Sequence, residues 1–443
     1  MDGTAKEKGI VKVIFYAPVR EGGEPVSALS RLAAPGLEFN VTNDGATESE
    51  TFISLVPGNK NRFLVGANGG GYNAWVTNNG GQTFTKAPMP STLDSPGEVA
   101  AEPGVLCCDP MSVADTAGNI WYGGLSVANG SGNPSRIVVN RISPGLTMSR
   151  PQIVGLRQRT AGTQDKPMMT IDNAPGSGAF GRLYVIWDEP SGGGINIVMS
   201  QCDTRPGGVL NAANCDNADN WTAPVSVTPS TGSYIYADVA VGPDGRVYAV
   251  WWDYSTANAI RGDVCAPPTN CATAAGWGTP QTIATLDATD GLPVPFACPI
   301  LAQPGGRAST SPKVDVDRSI GPQNGRVYVT WSDLRTGSGA TRCASSTTPA
   351  STHLTWDSFV ASAASALPGS ANPSSNVGTR LLTDGEGGGA ANSDDWFAWL
   401  AVDQTTGQAW GTSTPPVTMP RATRRTSTYE RSLPPGAATR SVR

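Results

Sequence analysis

The apolar residues of this chain fall into short runs separated by polar turns, and one arrangement of run and turn recurs. An aliphatic segment leads into a turn rich in Asp and Gly, and then into a second apolar segment that ends on Trp and a carboxylate. It reads MTIDNAPGSGAFGRLYVIWDE from Met169, VAVGPDGRVYAVWWDY from Val239 and VDVDRSIGPQNGRVYVTWSDL from Val314. Shorter versions read SLVPGNKNRFLVGAN from Ser54, SVADTAGNIWYGGL from Ser112 and LAVDQTTGQAWGTS from Leu400. Six copies of a strand pair, tens of residues apart, predict a repeated all-β architecture.

Each copy extends outward. INIVMSQC from Ile195 is followed by NWTAPVSVT from Asn220, and AIRGDVC from Ala259 by GWGTPQTIATL from Gly276. RIVVNRIS from Arg136 leads to MSRPQIVGL, and THLTWDSFV from Thr352 to GTRLLTD. Four strands in meander order per unit predict a six-bladed β-propeller of four-stranded antiparallel blades, an arrangement that leaves only short, protected edges. LEFNVTND ahead of Glu50 holds the place that PVSVTPS and LLTDGEG hold before later blades. An N-terminal strand is therefore expected to complete the last blade and close the ring. The expected division is an N-terminal extension over 1–36, the propeller over 37–412, and a basic Pro/Arg-rich tail over 413–443.

Composition agrees with short strands and many turns: 53 Gly, 36 Pro and only 15% charged residues. The net charge of −5 comes without the basic stripe that nucleic-acid binding needs, and no apolar run approaches a membrane span of about 20 residues. Cys202 and Cys215 bracket one Gly/Asn-rich loop, and Cys265 and Cys271 bracket the corresponding loop of the next repeat. Each pair reads as a local disulfide. Zinc ligation competes with that reading, but the intervals lack a paired two-residue spacing and the chain has one histidine, His353. The partners of Cys107, Cys108, Cys298 and Cys343 stay open. Disulfides imply an oxidising, extracellular setting, although MDGTAKEKGIVKVIFYAPVR lacks the shape of a secretion signal. The protein is expected to be an exported monomer.

The turn Thr77-Asn78-Asn79-Gly80-Gly81-Gln82-Thr83-Phe84 resembles the Asp-box, Ser-x-Asp-x-Gly-x-Thr-Trp, of the sialidase-like (BNR-repeat) propellers. Thr77, Asn79, Gly81, Thr83 and Phe84 stand in the matching places. The short side chain of Asn79 can bond the backbone ahead of it, and Gly81 can adopt a left-handed conformation. In that superfamily the boxes are structural and face away from the substrate. Its enzymes grip a sialic acid carboxylate with three arginines and use a Tyr nucleophile activated by a Glu. No arginine triad can be matched in this chain, whose only arginines ahead of the first blade are Arg20 and Arg31.

If the box lies at the bottom of a blade, the opposite face is lined by the starts of first strands and the ends of second strands. The starts supply Glu50, Asp109, Asp165, Asp238, Asp394 and Asp395, with Lys166 and Lys313; the ends supply Asp188, Glu189, Asp253, Tyr254, Asp333 and Arg335. Asp188, Asp253, Asp333 and Tyr254 are the candidate catalytic residues. Glu50, Asp109, Asp165, Asp238, Arg335 and Asp395 are the candidate substrate-binding residues. A sugar carboxylate calls for guanidinium groups, whereas an acidic mouth suits Ca²⁺ or a neutral glycan held by Asp and Trp. No cofactor is otherwise implied.

Paired carboxylates can also hydrolyse a glycosidic bond. The bland alternative is that a carboxylate after Trp caps backbone amides, and that Trp187, Trp251, Trp252 and Trp331 pack between blades. The expectation is a carbohydrate-acting exo-glycosidase working at the top face; the alternative is a non-catalytic propeller that binds glycan or protein. A polysaccharide lyase is a third reading, weakened by the few cations at the mouth.

Overall fold

The fold is that of a computed structural model, which describes residues 12–14, 38–41, 49–68, 72–88, 92–93, 102–103, 105–127, 135–154, 164–191, 193–228, 232–254, 258–266, 270–286, 310–334, 356–369, 379–381, 396–414 and 429–432. All six repeated strand pairs form antiparallel hairpins, each ending in a turn whose last residue is a left-handed glycine. Gly58, Gly118, Gly181, Gly245, Gly325 and Gly407 share φ values of 73–89°, a region that costs a side-chain-bearing residue about 1–2 kcal/mol. The Asp that opens the turn caps it: Asp115 accepts the Ala117 and Asn119 amides, Asp172 that of Ala174, Asp317 that of Ser319 and Asp403 that of Thr405. The recurrent Asp/Gly phrase is thus the local code for the hairpin.

The hairpins grow into all-β blades of four antiparallel strands. Blade one is Ser49–Val56, Asn59–Asn68, Tyr72–Thr77 and Thr85–Lys86; blade three is Asp165–Ile171, Arg182–Ser191, Gly194–Asp203 and Val225–Ser226. Blade four is Tyr234–Val241, Val247–Asp253, Ala259–Cys265 and Gln281–Thr285, and blade five is Lys313–Val316, Arg326–Leu334, Trp356–Ala364 and Thr379–Leu381. Blade two is Met111–Ala114, Ile120–Val127, Ser135–Ile142 and Gln152–Ile153, with a short extra strand, Val105–Leu106, also paired to Ile120–Val127. Inner strands of successive blades lie side by side.

Second strands carry unbroken apolar runs because both of their faces are covered. Val247, Ala249 and Trp251 pack with Tyr184 and Ile186 of blade three, while Tyr248, Val250 and Trp252 pack with Val327, Val329 and Trp331 of blade five. Trp187, Trp251 and Trp331 are buried between blades.

The expectation of six four-stranded blades with an N-terminal closing strand is corrected. Among the described residues there are five complete blades, and the last sheet has three strands, Trp396–Asp403, Gln408–Thr414 and Tyr429–Ser432. Its third strand comes from the segment read as a tail. Glu38–Asn40 pairs with Lys12–Ile14 instead of with that sheet, and Val41 packs on Phe63, Val65 and Trp75 of blade one. Blade one meets the last sheet through Phe52 and Trp399, edge to face at 5.3 Å between centroids.

Disulfides join Cys202 to Cys215 and Cys265 to Cys271, and a third links the neighbours Cys107 and Cys108. Cys298 and Cys343 lie outside the described residues. No described helix is long and apolar enough to cross a membrane.

Candidate functional site at the top of the inner strands

The inner strands do not run straight to their N-terminal ends. In blade one the pairs Ser49–Asn68 and Phe52–Gly66 leave two residues facing one, and the same slip occurs between Asp165 and Met168 and between Ile235 and Asp238. These are β-bulges, which leave the extra residue unpaired and re-aim its side chain. Each bulge holds a non-glycine residue in the left-handed region: Glu50 at φ 52°, Lys166 at 49° and Tyr236 at 58°. Asp109, at 50°, occupies the same place in blade two. Such strain is sustained only where surroundings enforce it, and it concentrates at functional sites.

In blades two, three and four the amide of the left-handed residue is held by a carboxylate from the preceding blade. Glu50 Oε2 accepts the Asp109 amide at 3.0 Å, Asp109 Oδ2 accepts the Lys166 amide at 3.3 Å, and Asp188 Oδ2 accepts the Tyr236 amide at 3.2 Å. Asp238 Oδ2 accepts the Val314 amide at 2.9 Å, and Asp315 Oδ2 accepts the Val402 amide at 2.8 Å. Acids at the strand tops, and Asp238 and Asp315 farther down the inner strands, therefore clasp each of the five blades to the sheet that follows it.

Between blades one, two and three the clasp acids gather into a charged cluster. Lys166 Nζ lies 3.0 Å from both oxygens of Asp109 and 3.5 Å from Asp165 Oδ1. Asn68 Nδ2 donates to Glu50 Oε2 at 3.2 Å. Asp109 and Asp165 hydrogen-bond to each other through their carboxyls, and their environments separate them. Burial alone would raise Asp109, but the Lys166 ammonium and its hydrogen bonds hold it below its ordinary value. Burial pushes Asp165 up to about 6, with the neighbouring Asp109 adding to the rise against the pull of Lys166. Burial opposes the charge on Lys166, yet Asp109 and Asp165 raise its proton affinity. One carboxyl is thus kept ionised while its neighbour keeps its proton up to about pH 6.

Behind the cluster, Asp188 faces Asp165 across the strand pair and is buried, and burial raises its pKa well above the ordinary value. Lys313 is buried as well; desolvation lowers its proton affinity, countered by Asp238 and Asp188, and its Nζ sits 4.8 Å over the Trp399 ring. Burial also raises Asp238.

The candidate residues thus separate into two sets. Glu50, Asp109 and Asp165 lie at or just before the starts of inner strands and converge with Lys166, whereas Asp238 lies midway along its strand, past the bulge. Asp188, Asp253 and Asp333 are almost fully buried. Asp253 pairs with Arg261 at 3.3 Å, and the partly buried Tyr254 packs against Trp252 at 5.8 Å. Arg335, Asp394, Asp395 and His353 lie outside the described residues. Glu189 Oε2 accepts from the Trp187 indole at 2.8 Å and from Gln164 at 2.7 Å. Reading the sequence placed Lys166 at the mouth without assigning it a role; its position between two Asp residues of adjacent inner strands is the signal that was available.

The expected Ca²⁺ option finds no donor set: among the described residues no three His, Cys, Asp or Glu side chains are grouped to hold a metal ion. The centre of the acid cluster is taken by the Lys166 ammonium.

The Thr77–Phe84 turn lies at the opposite end of blade one, since Thr77 pairs with Phe63 and Glu50 lies near the far end, beside Asn68. Asn79 Oδ1 accepts the Thr83 amide at 3.0 Å, Thr77 Oγ1 accepts the Gly81 amide at 3.0 Å, and Phe84 meets Phe63 at 5.8 Å.

No protein-family model matches this chain, and no curated protein matches it. Solved structures do. A protein of unknown function from Dyadobacter fermentans is 11% identical with a TM-score of 0.47, over 87% of this chain and 93% of its own. An α-L-arabinanase of Penicillium chrysogenum complexed with arabinobiose is 11% identical with a TM-score of 0.44, over 82% and 89%. An α-L-arabinofuranosidase of Fusarium graminearum with an iminosugar inhibitor is 10% identical with a TM-score of 0.45, over 86% and 92%. These likenesses are too distant to carry activity across, so the functional reading rests on this chain's own residues.

Proposed function

We propose that the protein hydrolyses a terminal glycosidic bond of a neutral glycan at the top face of the propeller, with Asp165 as proton donor. The observation that carries this reading is the Asp109–Asp165 pair beside Lys166, two carboxyls driven apart in proton affinity. Pairs separated in this way divide into an acid and a base or electrostatic partner. The two are too close to flank a scissile bond, because the carboxyls of a retaining glycosidase stand about 5–5.5 Å apart and those of an inverting one about 6.5–9.5 Å. The second carboxylate in this scheme is Glu50, exposed one blade further round, and Asp109 holds Lys166 and the proton on Asp165 in place.

A neutral sugar fits better than a sialic acid. Among the described arginines, Arg62 donates to the Gly118 and Ser143 carbonyls, Arg141 pairs with Asp216 and Arg182 with Asp203. Incubation with aryl glycosides spanning arabinofuranosides, hexosides and a sialoside tests the proposal. Turnover abolished by Asp165→Asn is the expected result, and silence across the panel overturns it. The clasp hydrogen bonds favour a second reading, a non-catalytic glycan-binding propeller, since Glu50 and Asp109 each already serve a neighbouring backbone. Glycan binding without turnover, unchanged by Asp165→Asn, would establish that reading.

A further inference from the structure

The bulge of blade two is unlike the others. Leu106 pairs with Ser126 and Met111 with Gly123, so four residues, 107–110, face two, 124–125. Blades one, three and four carry one extra residue at this place; blade two carries two. The Cys107 amide donates to the Leu125 carbonyl at 2.9 Å, and the Leu125 amide donates to the Cys108 carbonyl at 2.8 Å. Cys107 and Cys108 therefore oppose the single residue Leu125, and a disulfide joins their side chains. The next residue is Asp109, left-handed, its amide on Glu50 and its carboxylate on both the amide and the ammonium of Lys166.

A bulge that is one residue longer has more ways to arrange itself, and a left-handed Asp is unfavourable on its own. A disulfide between adjacent residues closes a small ring that includes their shared peptide, which removes rotation on both sides of that peptide. Cys107 and Cys108 also pack against the apolar cluster of Met111, Trp121 and Trp187, so the ring is anchored to the blade interface. We propose that the Cys107–Cys108 disulfide is a positioning element for the acid pair, locking the widened bulge so that the Asp109 carboxylate is delivered to Lys166 and Asp165. Opening it by a dithiol, which supplies the two electrons and two protons of the reduction as its own disulfide forms and so leaves two cysteine thiols, frees the bulge and lets Asp109 leave the cluster. The functional consequence rests on the hydrolase reading; the positioning itself does not.

The test follows the Asp165 carboxyl by ¹³C NMR titration, assigned with Asp165→Asn, in native protein, in Cys107→Ser/Cys108→Ser and in Cys202→Ser/Cys215→Ser as a control. The charged groups facing Asp165 are Asp109, Lys166 and Asp188, with Glu50 acting on Lys166. Loss of Asp109 from its side is expected to lower the Asp165 midpoint by a unit or more in the Cys107/Cys108 variant, with no change in the control. The Lys166 amide should also lose hydrogen-exchange protection. Should the double variant fail to fold, mild reduction of native protein reads the same quantity, because Cys107 and Cys108 are half-buried while the other described disulfides are buried.

An Asp165 midpoint unmoved in folded protein lacking this disulfide overturns the proposal. If the panel shows turnover, the variant's kcat should fall roughly tenfold to a hundredfold with little change in KM, as small misplacements of reacting groups do. A displaced midpoint in a protein without turnover would sink the hydrolase reading and leave the positioning intact. Turnover with an undisplaced midpoint would do the reverse.

Discussion

Asp165 and Asp109 differ by what stands next to each, and that difference has two measurable consequences. If protonated Asp165 is the acid, kcat/KM should decline as pH rises through about 6, and the decline should vanish with the activity in Asp165→Asn. Stability should respond in the same window. Asp165 is raised in the folded state, so folded protein keeps a proton that the unfolded chain has lost, and its contribution falls as pH rises from about 4 to about 6. Asp109 has the opposite sign: its folded pKa is depressed, and its contribution is lost as pH falls below about 4. A melting temperature measured across pH 3–7 should fall at both ends of this range, and Asp165→Asn should flatten the upper fall. Lys166→Met should cost about 1–3 kcal/mol in denaturant titrations, because the largely buried Asp109 carboxylate loses its counterion.

Hairpin turns and loop clasps can be tested without touching the site. Gly181 is left-handed at φ 87°, and a Cβ there would lie 2.8 Å from Thr204 Oγ1 and Arg205 Cδ. Gly181→Ala should therefore destabilise by about 1–3 kcal/mol, backbone strain plus the displaced neighbours, whereas Gly176→Ala, with open space around it, should be near neutral. The two loop disulfides differ in span, 13 residues against 6, so removing Cys202–Cys215 should cost about 3 kcal/mol and removing Cys265–Cys271 about 2 kcal/mol. Equal losses, read from denaturant midpoints at constant slope, would contradict a loop-entropy origin.

Across the whole molecule, the seam between blade one and the last sheet is the weak joint. Ile53 and Leu55 on one side and Trp399 and Trp410 on the other are exposed, between 38% and 52%, where the other seams bury their apolar residues. Phe52 and Trp399 are the aromatic contact across it. A double-mutant cycle with Phe52→Ala and Trp399→Ala should give a coupling of about 0.5–1.5 kcal/mol. Limited proteolysis should open Trp399→Ala at this seam before any other. The clasps supply the counterpart at the remaining seams: Asp238→Ala leaves the Val314 amide without its acceptor and should cost about 1–3 kcal/mol.

Residues that act through neighbours in the chain were legible in advance. The six hairpins, the Asp and Gly of their turns, the burial of Trp187, Trp251 and Trp331 and the pairs Cys202–Cys215 and Cys265–Cys271 all follow from short-range pattern, because a hairpin fixes its own register and a local disulfide closes its own loop. The acids at the inner-strand tops were also identifiable, but their division of labour was not. That Asp188 serves the Tyr236 amide while Asp165 keeps a proton beside Asp109 depends on bulges and on which blade lies next door, and both are decided only when blades pack. Ring closure escaped for the same reason: it joins segments hundreds of residues apart, and no local pattern says that Tyr429–Ser432 joins the last sheet or that Phe52 meets Trp399. Local hydrogen bonding wrote the repeat into the sequence; desolvation and the contact of one blade with the next, which exist only in the assembled ring, set the charges that the site can use.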